Sequence, residues 1–210
     1  MVRTRNFNPE VILDAALALF WRKGYKNCCM ADVVRRSGVA RYGLYQVFKD
    51  KDKLYHASLK HYHRKIRERF MEPFCVDRTG KQPDLSTLVS VFNIMIDDME
   101  KDRYSSCFAH QAAIERAKED PEVNAIVSDF FEEVKDRYRI TIKNAVELGQ
   151  IRNQPIEDLV IYVMGIERAI IAMAKQNCSI DECKDYVRCA LALLKPESTK
   201  ETASQRRDDV

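Results

Sequence analysis

The residues with the most informative chemistry lie close together near the N-terminus. Residues 29–48 read Cys-Met-Ala-Asp-Val-Val-Arg-Arg-Ser-Gly-Val-Ala-Arg-Tyr-Gly-Leu-Tyr-Gln-Val-Phe. Two short helical stretches, Met30 to Ser37 and Ala40 to Phe48, flank the turn Ser37-Gly38-Val39. That is the pattern of a helix-turn-helix, spanning Cys29 to Phe48. Leu44 and Phe48 have the spacing of inward residues, which leaves Arg41, Tyr42, Gly43, Tyr45 and Gln46 on the outer face. In such a motif the second helix enters the major groove and its first residues meet base edges. Arg41 can donate two hydrogen bonds to guanine and Gln46 can bridge adenine. Gly43 allows close approach. Lys49 and Lys51 follow as candidate phosphate contacts.

Charge supports this chemistry. The chain has 210 residues and a net charge of +3. Residues 1–70 carry 16 Lys/Arg against 6 Asp/Glu, and the remainder carries 19 against 26. A basic first third on an acidic body suggests a polyanion-binding module joined to a part with another job.

The elements that must position these residues are helical. Six Gly and six Pro are too few for an all-β fold. Helical periodicity predicts about nine helices: 9–23, 30–37, 40–48, 51–70, 84–101, 105–118, 121–148, 155–176 and 181–195. The expected division is a DNA-binding domain over 1–50, a helical body over 51–195 beginning with a linking helix at 51–70, and a disordered tail over 196–210. Helix eight has two apolar stripes. One is Leu159, Val163, Ile166, Ile170 and Met173; the other is Tyr162, Gly165, Ala169 and Ala172. A helix apolar on two sides must be buried on two sides, so the small-residue stripe is expected to face a second copy of the chain. Helix nine is expected to join it through Val187, Leu191 and Leu194. Phe92, Met95, Met99, Cys107, Phe108, Gln111, Glu115 and Tyr138 are candidates for a pocket for a small, mostly apolar molecule.

Several functions are set aside by what the sequence lacks. It has no apolar run of about 18 residues, so no membrane span is expected. The N-terminus is basic but soon polar, without the apolar stretch of a signal peptide, and a cytoplasmic location is expected. The seven cysteines include no CxxC, and the expectation is free thiols, no metal and no cofactor. There is no Gly-rich phosphate loop and no GxSxG. His61 and His63 stand two apart and do not share a helix face, and His110 stands alone. Asp97-Asp98 and Glu132-Glu133 read as solvated surface. No catalytic residue is assigned, and an enzyme is not expected.

The stretches Ile12-Leu13-Asp14-Ala15-Ala16-Leu17, Leu19-Phe20, Lys23-Gly24-Tyr25, Met30, Asp32-Val33, Gly38-Val39, Leu44-Tyr45, Phe48, Lys51 and Leu54 resemble the TetR family of transcription regulators in order and spacing. Weaker matches follow at Ser106-Cys107-Phe108, Asp120-Pro121-Glu122-Val123 and Gly149-Gln150-Ile151. The resemblance implies an all-helical fold in which helices one to three bind DNA, helix four links them to a ligand-binding body, and helices eight and nine pair with their mates. It implies phosphate contacts at Tyr45 and Lys51, and an arm through Arg3 and Arg5 that reaches the minor groove or backbone. This chain departs from the family at Ala40 and Cys29, where hydroxyl caps are common, at Val47, where His is common, and at bulky Tyr42. Cys107 lies where some relatives sense electrophiles through a thiol, and it reads either as a sensor or as a packed thiol. The resulting expectation is a homodimeric repressor, released from a palindromic double-stranded operator by a small-molecule inducer. The alternatives are a helical small-molecule-binding protein or enzyme that does not bind DNA, and a helical protein scaffold.

Overall fold

The computed structural model describes residues 8–70, 72–76, 80–102 and 107–196, apart from the side chains of 99–102. Arg3, Arg5, Ser106 and the tail from residue 197 lie outside them. The described residues contain nine α-helices and no strand. They are α1 Pro9–Lys23, α2 Met30–Ser37, α3 Arg41–Phe48, α4 Lys51–Phe70, α5 Leu85–Asp102, α6 Phe108–Glu115, α7 Pro121–Glu147, α8 Ile156–Lys175 and α9 Ile180–Ala192.

Local chemistry explains most of the ends. Asn8 caps α1 by accepting from the Glu10 N–H at 2.9 Å, and Gly24 closes the helix at φ 77°. Asp120 caps α7 by accepting from the N–H groups of Glu122 and Val123, both at 3.1 Å. Ser179 and Glu182 form a reciprocal capping box at the start of α9. Helix α6 is shorter than its periodicity predicts. Arg116 leaves helical geometry at φ −135°, and its carbonyl takes the N–H groups of Glu119 and Asp120.

Helices α1 to α4, α6 and the first half of α7 form one compact unit, Met1–Glu72 with Lys101–Val134. In this unit packing joins α4 and α6 to the helix-turn-helix. The reason is the apolar stripe of α4, Leu54, Tyr55, Leu59 and Tyr62, which is buried together with Ile12, Ala16 and Phe20 of α1 and Phe108 of α6. Tyr55 meets Phe20 edge-on at 4.9 Å and Phe108 at 5.7 Å, and Trp21 meets Tyr62 at 5.3 Å. Each such pair contributes about 0.5–1.5 kcal/mol beyond burial. The polar flanks of α4 pair with carboxylates. His56 bonds Asp120 at 2.8 Å, His61 bonds Asp14 at 2.7 Å and His63 bonds Glu133 at 2.8 Å. Glu133 also takes Arg67 at 3.0 Å. It is therefore a packing partner of α4 rather than the solvated surface residue expected.

The second unit is Pro73–Glu100 with Lys135–Val210. Its core includes Leu88, Phe92 and Ile96 of α5, Tyr138 and Ile142 of α7, and Val163 and Ile170 of α8. The expected inner stripe of α8 is buried at Leu159, Val163, Ile166 and Ile170, while Tyr162, Gly165 and Ala172 are exposed and Ala169 is half-buried. Helix α9 corrects the expectation. Val187 and Leu191, with Leu194 just beyond the helix, are buried within this chain, each below 5 % exposed. They have almost no surface left for a partner. The side left open is that of Cys189 and Leu193.

Glu167 of α8 is buried, and its hydrogen bond comes from the Tyr138 hydroxyl at 2.9 Å. Burial pushes its carboxyl up to about 6, more than the Tyr138 bond lowers it. A proton on Glu167 thus favours the folded state. Its contribution is full below the unfolded value near 4.5 and is lost as pH rises through about 6. Glu167→Gln has no such loss. Its stability advantage over the natural chain should grow by about 2 kcal/mol between about pH 4 and pH 7. Urea unfolding across that range is the check, and a constant difference contradicts a buried Glu167 carboxyl held above its ordinary value.

Candidate nucleic-acid interface

The candidate interface is built by burial on one side. Val33 of α2 and Leu44 and Phe48 of α3 enter the core, while Met30 and Val34 are half-buried. Gly38 adopts the left-handed conformation, φ 68° and ψ 6°, that turns the chain between the two helices. With Leu44 and Phe48 anchored, Arg41, Tyr42, Tyr45, Gln46 and Lys49 are exposed, and Gly43 and Lys51 are half-buried. The structure thus brings the described members of the predicted set onto one face and its margin. Ala40 offers no side-chain cap to α3. At Cys29, Asp32 supplies half of the missing cap, its Oδ2 accepting the Cys29 N–H at 3.4 Å.

A groove of about 500 Å³ opens beside this face, lined by Lys26, Cys29, Met30, Ala31, Arg41, Tyr45 and Lys51 among others. It combines three cations with the N-terminus of α2, where backbone N–H groups lack helical partners. Both features suit a phosphate. Lys26 and the α2 amides were missed in the sequence. The available signal was a lysine just ahead of a helix start.

Lys51 and the turn after α1 share one ring. The Lys51 ammonium lies 4.2 Å from the Tyr25 centroid, and the Arg116 guanidinium lies 4.2 Å from the same centroid. The Tyr25 hydroxyl donates to Asp52, and its backbone N–H donates to Glu115 Oε2 at 3.0 Å. Burial, then the Asp52 bond and charge, pushes the Tyr25 hydroxyl up to about 12. Arg116 also bonds Asp120 at 3.0 Å. Burial would raise the Asp120 carboxyl, but bonds from His56, the Val123 N–H and Arg116 outweigh it and hold the value at about 2.

The residues expected to line one pocket are distributed over both units. In the first, Phe108 packs on Tyr55 and Tyr62. Gln111 donates to the Phe20 carbonyl at 3.4 Å, Glu115 holds Tyr25, and Cys107 accepts from the Tyr62 hydroxyl at 3.2 Å. These side chains bind the end of α1 and helix α4. In the second unit, Phe92 and Tyr138 are buried and Met95 is half-buried. The side chain of Met99 lies outside the described residues.

A family model described as "Bacterial regulatory proteins, tetR family" matches residues 12–58. The chain is 22 % identical over 196 residues to the uncharacterized HTH-type transcriptional regulator YezE of Bacillus subtilis, covering 92 % of this chain and all of that one. It superposes on the TetR family regulator CifR, solved as a cysteine mutant with 26-bp operator DNA, with TM-score 0.73 and 18 % identity over 90 % of this chain and 98 % of that one. It likewise superposes on the regulator FadR of Bacillus subtilis, solved with stearoyl-CoA, with TM-score 0.69 and 16 % identity over 89 % and 97 %. At these identities the solved structures establish the fold.

Cys28 and Cys29 test the groove. Cys29 is exposed, whereas Cys28 is buried and burial pushes its thiol up to about 11. Iodoacetamide at mildly alkaline pH is expected to modify Cys29 and spare Cys28. A duplex selected from a random pool should slow the Cys29 reaction. Peptide mass spectrometry reads both, and equal rates with and without DNA would place the groove away from the nucleic acid.

Proposed function

We propose that this chain, which belongs to the tetR family of bacterial regulatory proteins and is a DNA-binding transcriptional regulator, is a homodimeric repressor released from a palindromic operator by a small molecule. The observation that carries the DNA assignment is the exposed face of α3 beside a groove that gathers Lys26, Arg41 and Lys51 at the start of α2. Arg41 reads a base edge, Tyr45 and Lys51 hold phosphates, and Arg3 and Arg5 extend the contact. Fixing two such heads by a two-fold axis demands a two-fold operator.

The dimer face is supported by the open side of α8 and α9. Ile161 and Leu193 are more than 60 % exposed, and Ile161 shares the helical stripe of Gly165, Ala169 and Ala172, so the open apolar surface on this face of α8 runs along the helix, as a partner surface would. A Cβ added at Gly165 meets nothing within 4 Å, which leaves room for close approach. Tyr162, Gly165, Ala169 and Ala172 stay in this assignment. Cys189 and Leu193 replace Val187, Leu191 and Leu194.

The inducer is assigned to the second unit, at Phe92, Met95, Met99 and Tyr138, with Glu167 as an added polar group. Cys107, already hydrogen-bonded by Tyr62, is assigned as a packed thiol and the inducer as reversible. Phe108, Gln111 and Glu115 are assigned to transmission, since they hold the end of α1. A 100-fold preference of the inducer for the non-binding state corresponds to about 2.7 kcal/mol.

In binding assays on a pool-selected duplex, Lys51→Ala should weaken all sequences alike and lower the salt slope by about 1. Arg41→Ala should also relax one base position, by about 1–3 kcal/mol. An unchanged site and affinity for Arg41→Ala would remove it as a reader. Ala169→Glu should convert a dimer to monomers that no longer bind the operator. Sedimentation measures this, and a natural chain that is monomeric at micromolar concentration rules the dimer out.

A further inference from the structure

The outer face of α3 carries two couples at i, i+4 spacing, which stacks side chains one turn apart. Arg41 lies over the Tyr45 ring at 5.6 Å. Gln46 Nε2 donates to the Tyr42 hydroxyl oxygen at 2.8 Å. In each couple an aromatic side chain holds a side chain able to read a base edge. Tyr42 is 77 % exposed, so it does not support the core. The family resemblance leaves this position undefined, because a small residue is usual there.

We propose that Tyr42 is a positioning residue for base recognition, its hydroxyl fixing the Gln46 carboxamide as a reader of adenine so that both side chains specify one base pair together. The proposal rests on the DNA-binding reading above.

The chemistry follows from the donor and acceptor count. A free glutamine carboxamide can present its oxygen or its nitrogen to either side, and the two orientations suit different bases. With one N–H engaged by Tyr42, the outward edge holds the other N–H and Oε1. Adenine offers N7 as acceptor and its N6 amino group as donor, which complements that edge. Guanine offers two acceptors, N7 and O6, so Oε1 would face O6 without a hydrogen between them. Tyr42 thus excludes guanine as well as favouring adenine, and repulsion is often where specificity comes from. The couple also reduces the rotamer freedom that a lone Gln46 would lose on binding. The Tyr42 hydroxyl hydrogen stays available for a phosphate oxygen or a thymine O4.

The test uses the full chain with Tyr42→Phe, Gln46→Ala and the double variant. Each selects its site from a random duplex pool, and affinities follow for the natural site and its single-base changes. Gln46→Ala should lose adenine preference at one position. Tyr42→Phe keeps the ring and should reduce that same preference about tenfold, chiefly by admitting guanine. The double variant should discriminate no worse than Gln46→Ala alone. Affinity for unrelated duplexes should be unchanged, which separates positioning from a lost phosphate contact, since a phosphate contact is made on every sequence. Melting temperatures should stay close to that of the natural chain, because both side chains are exposed.

The proposal is overturned if Tyr42→Phe keeps full discrimination, if it relaxes a different base pair, if the two effects multiply, or if the shared position prefers guanine in the natural chain. Failure of the natural chain to select any sequence would sink the DNA-binding reading itself. That outcome is distinct from selection of a site indifferent to Tyr42 and Gln46.

Discussion

The Tyr25 side chain at the end of α1 joins the interface to the body of the first unit. Its ring meets both the Lys51 and the Arg116 cations, each 4.2 Å from the centroid, its hydroxyl bonds Asp52, and its N–H bonds Glu115. Hydrogen bonds to charged groups are worth about 1.5–3 kcal/mol when shielded from water, more than exposed ion pairs usually give. Here two such bonds meet on one turn, a part-buried one to Glu115 and an exposed one to Asp52, and the exposed one contributes at the lower end. They bring together the end of α1, the start of α4 and the end of α6. Helix α2 follows from that turn, and α3 follows from α2. The exposed face of α3 is therefore held in part through a junction that includes Glu115 and Arg116, far from it in sequence.

This junction also links electrostatics to motion. Lys51 is the cation nearest the α4 end of the groove, and its ammonium already has a partner in the Tyr25 ring. A phosphate that draws Lys51 away removes one of the two cations from that ring and leaves Arg116 as the other. The proposed phosphate contact at the groove and the hold of α6 on α1 thus share the Tyr25 ring. Coupling is expected to be reciprocal: whatever moves Arg116 or Glu115 changes how Tyr25 and Lys51 are held.

The second unit presents the opposite situation, where an acid is buried and an apolar face is open. Glu167 is a buried carboxylate supported by one hydroxyl, an arrangement that disfavours its charge. The outer stripe of α8, with Leu193 beyond α9, leaves apolar surface open. A buried acid and an open apolar face both weaken a chain on its own, and both are relieved by a binding partner. That is why the ligand and the second copy are assigned there.

The sequence by itself determined what depends on neighbours within one or two helical turns. Periodicity delimits the helices to within a few residues. Asn8, Asp120, Gly24 and Gly38 mark their ends through local hydrogen bonds and backbone conformation. The exposed face of α3 was legible because anchoring Leu44 and Phe48 leaves only one outer side. Tertiary structure decided what two equivalent local patterns left open. On α9 the period alone does not say which side meets the chain's own core, and packing turned Val187 and Leu191 inward and left Leu193 outside. Glu133 had the composition of a surface acid until α4 brought His63 and Arg67 to it. Gln111 and Glu115 had the pattern of pocket residues, yet they bond the end of α1, about ninety positions earlier in the chain. A contact of that range has no period to reveal it, because it depends on where whole helices come to rest.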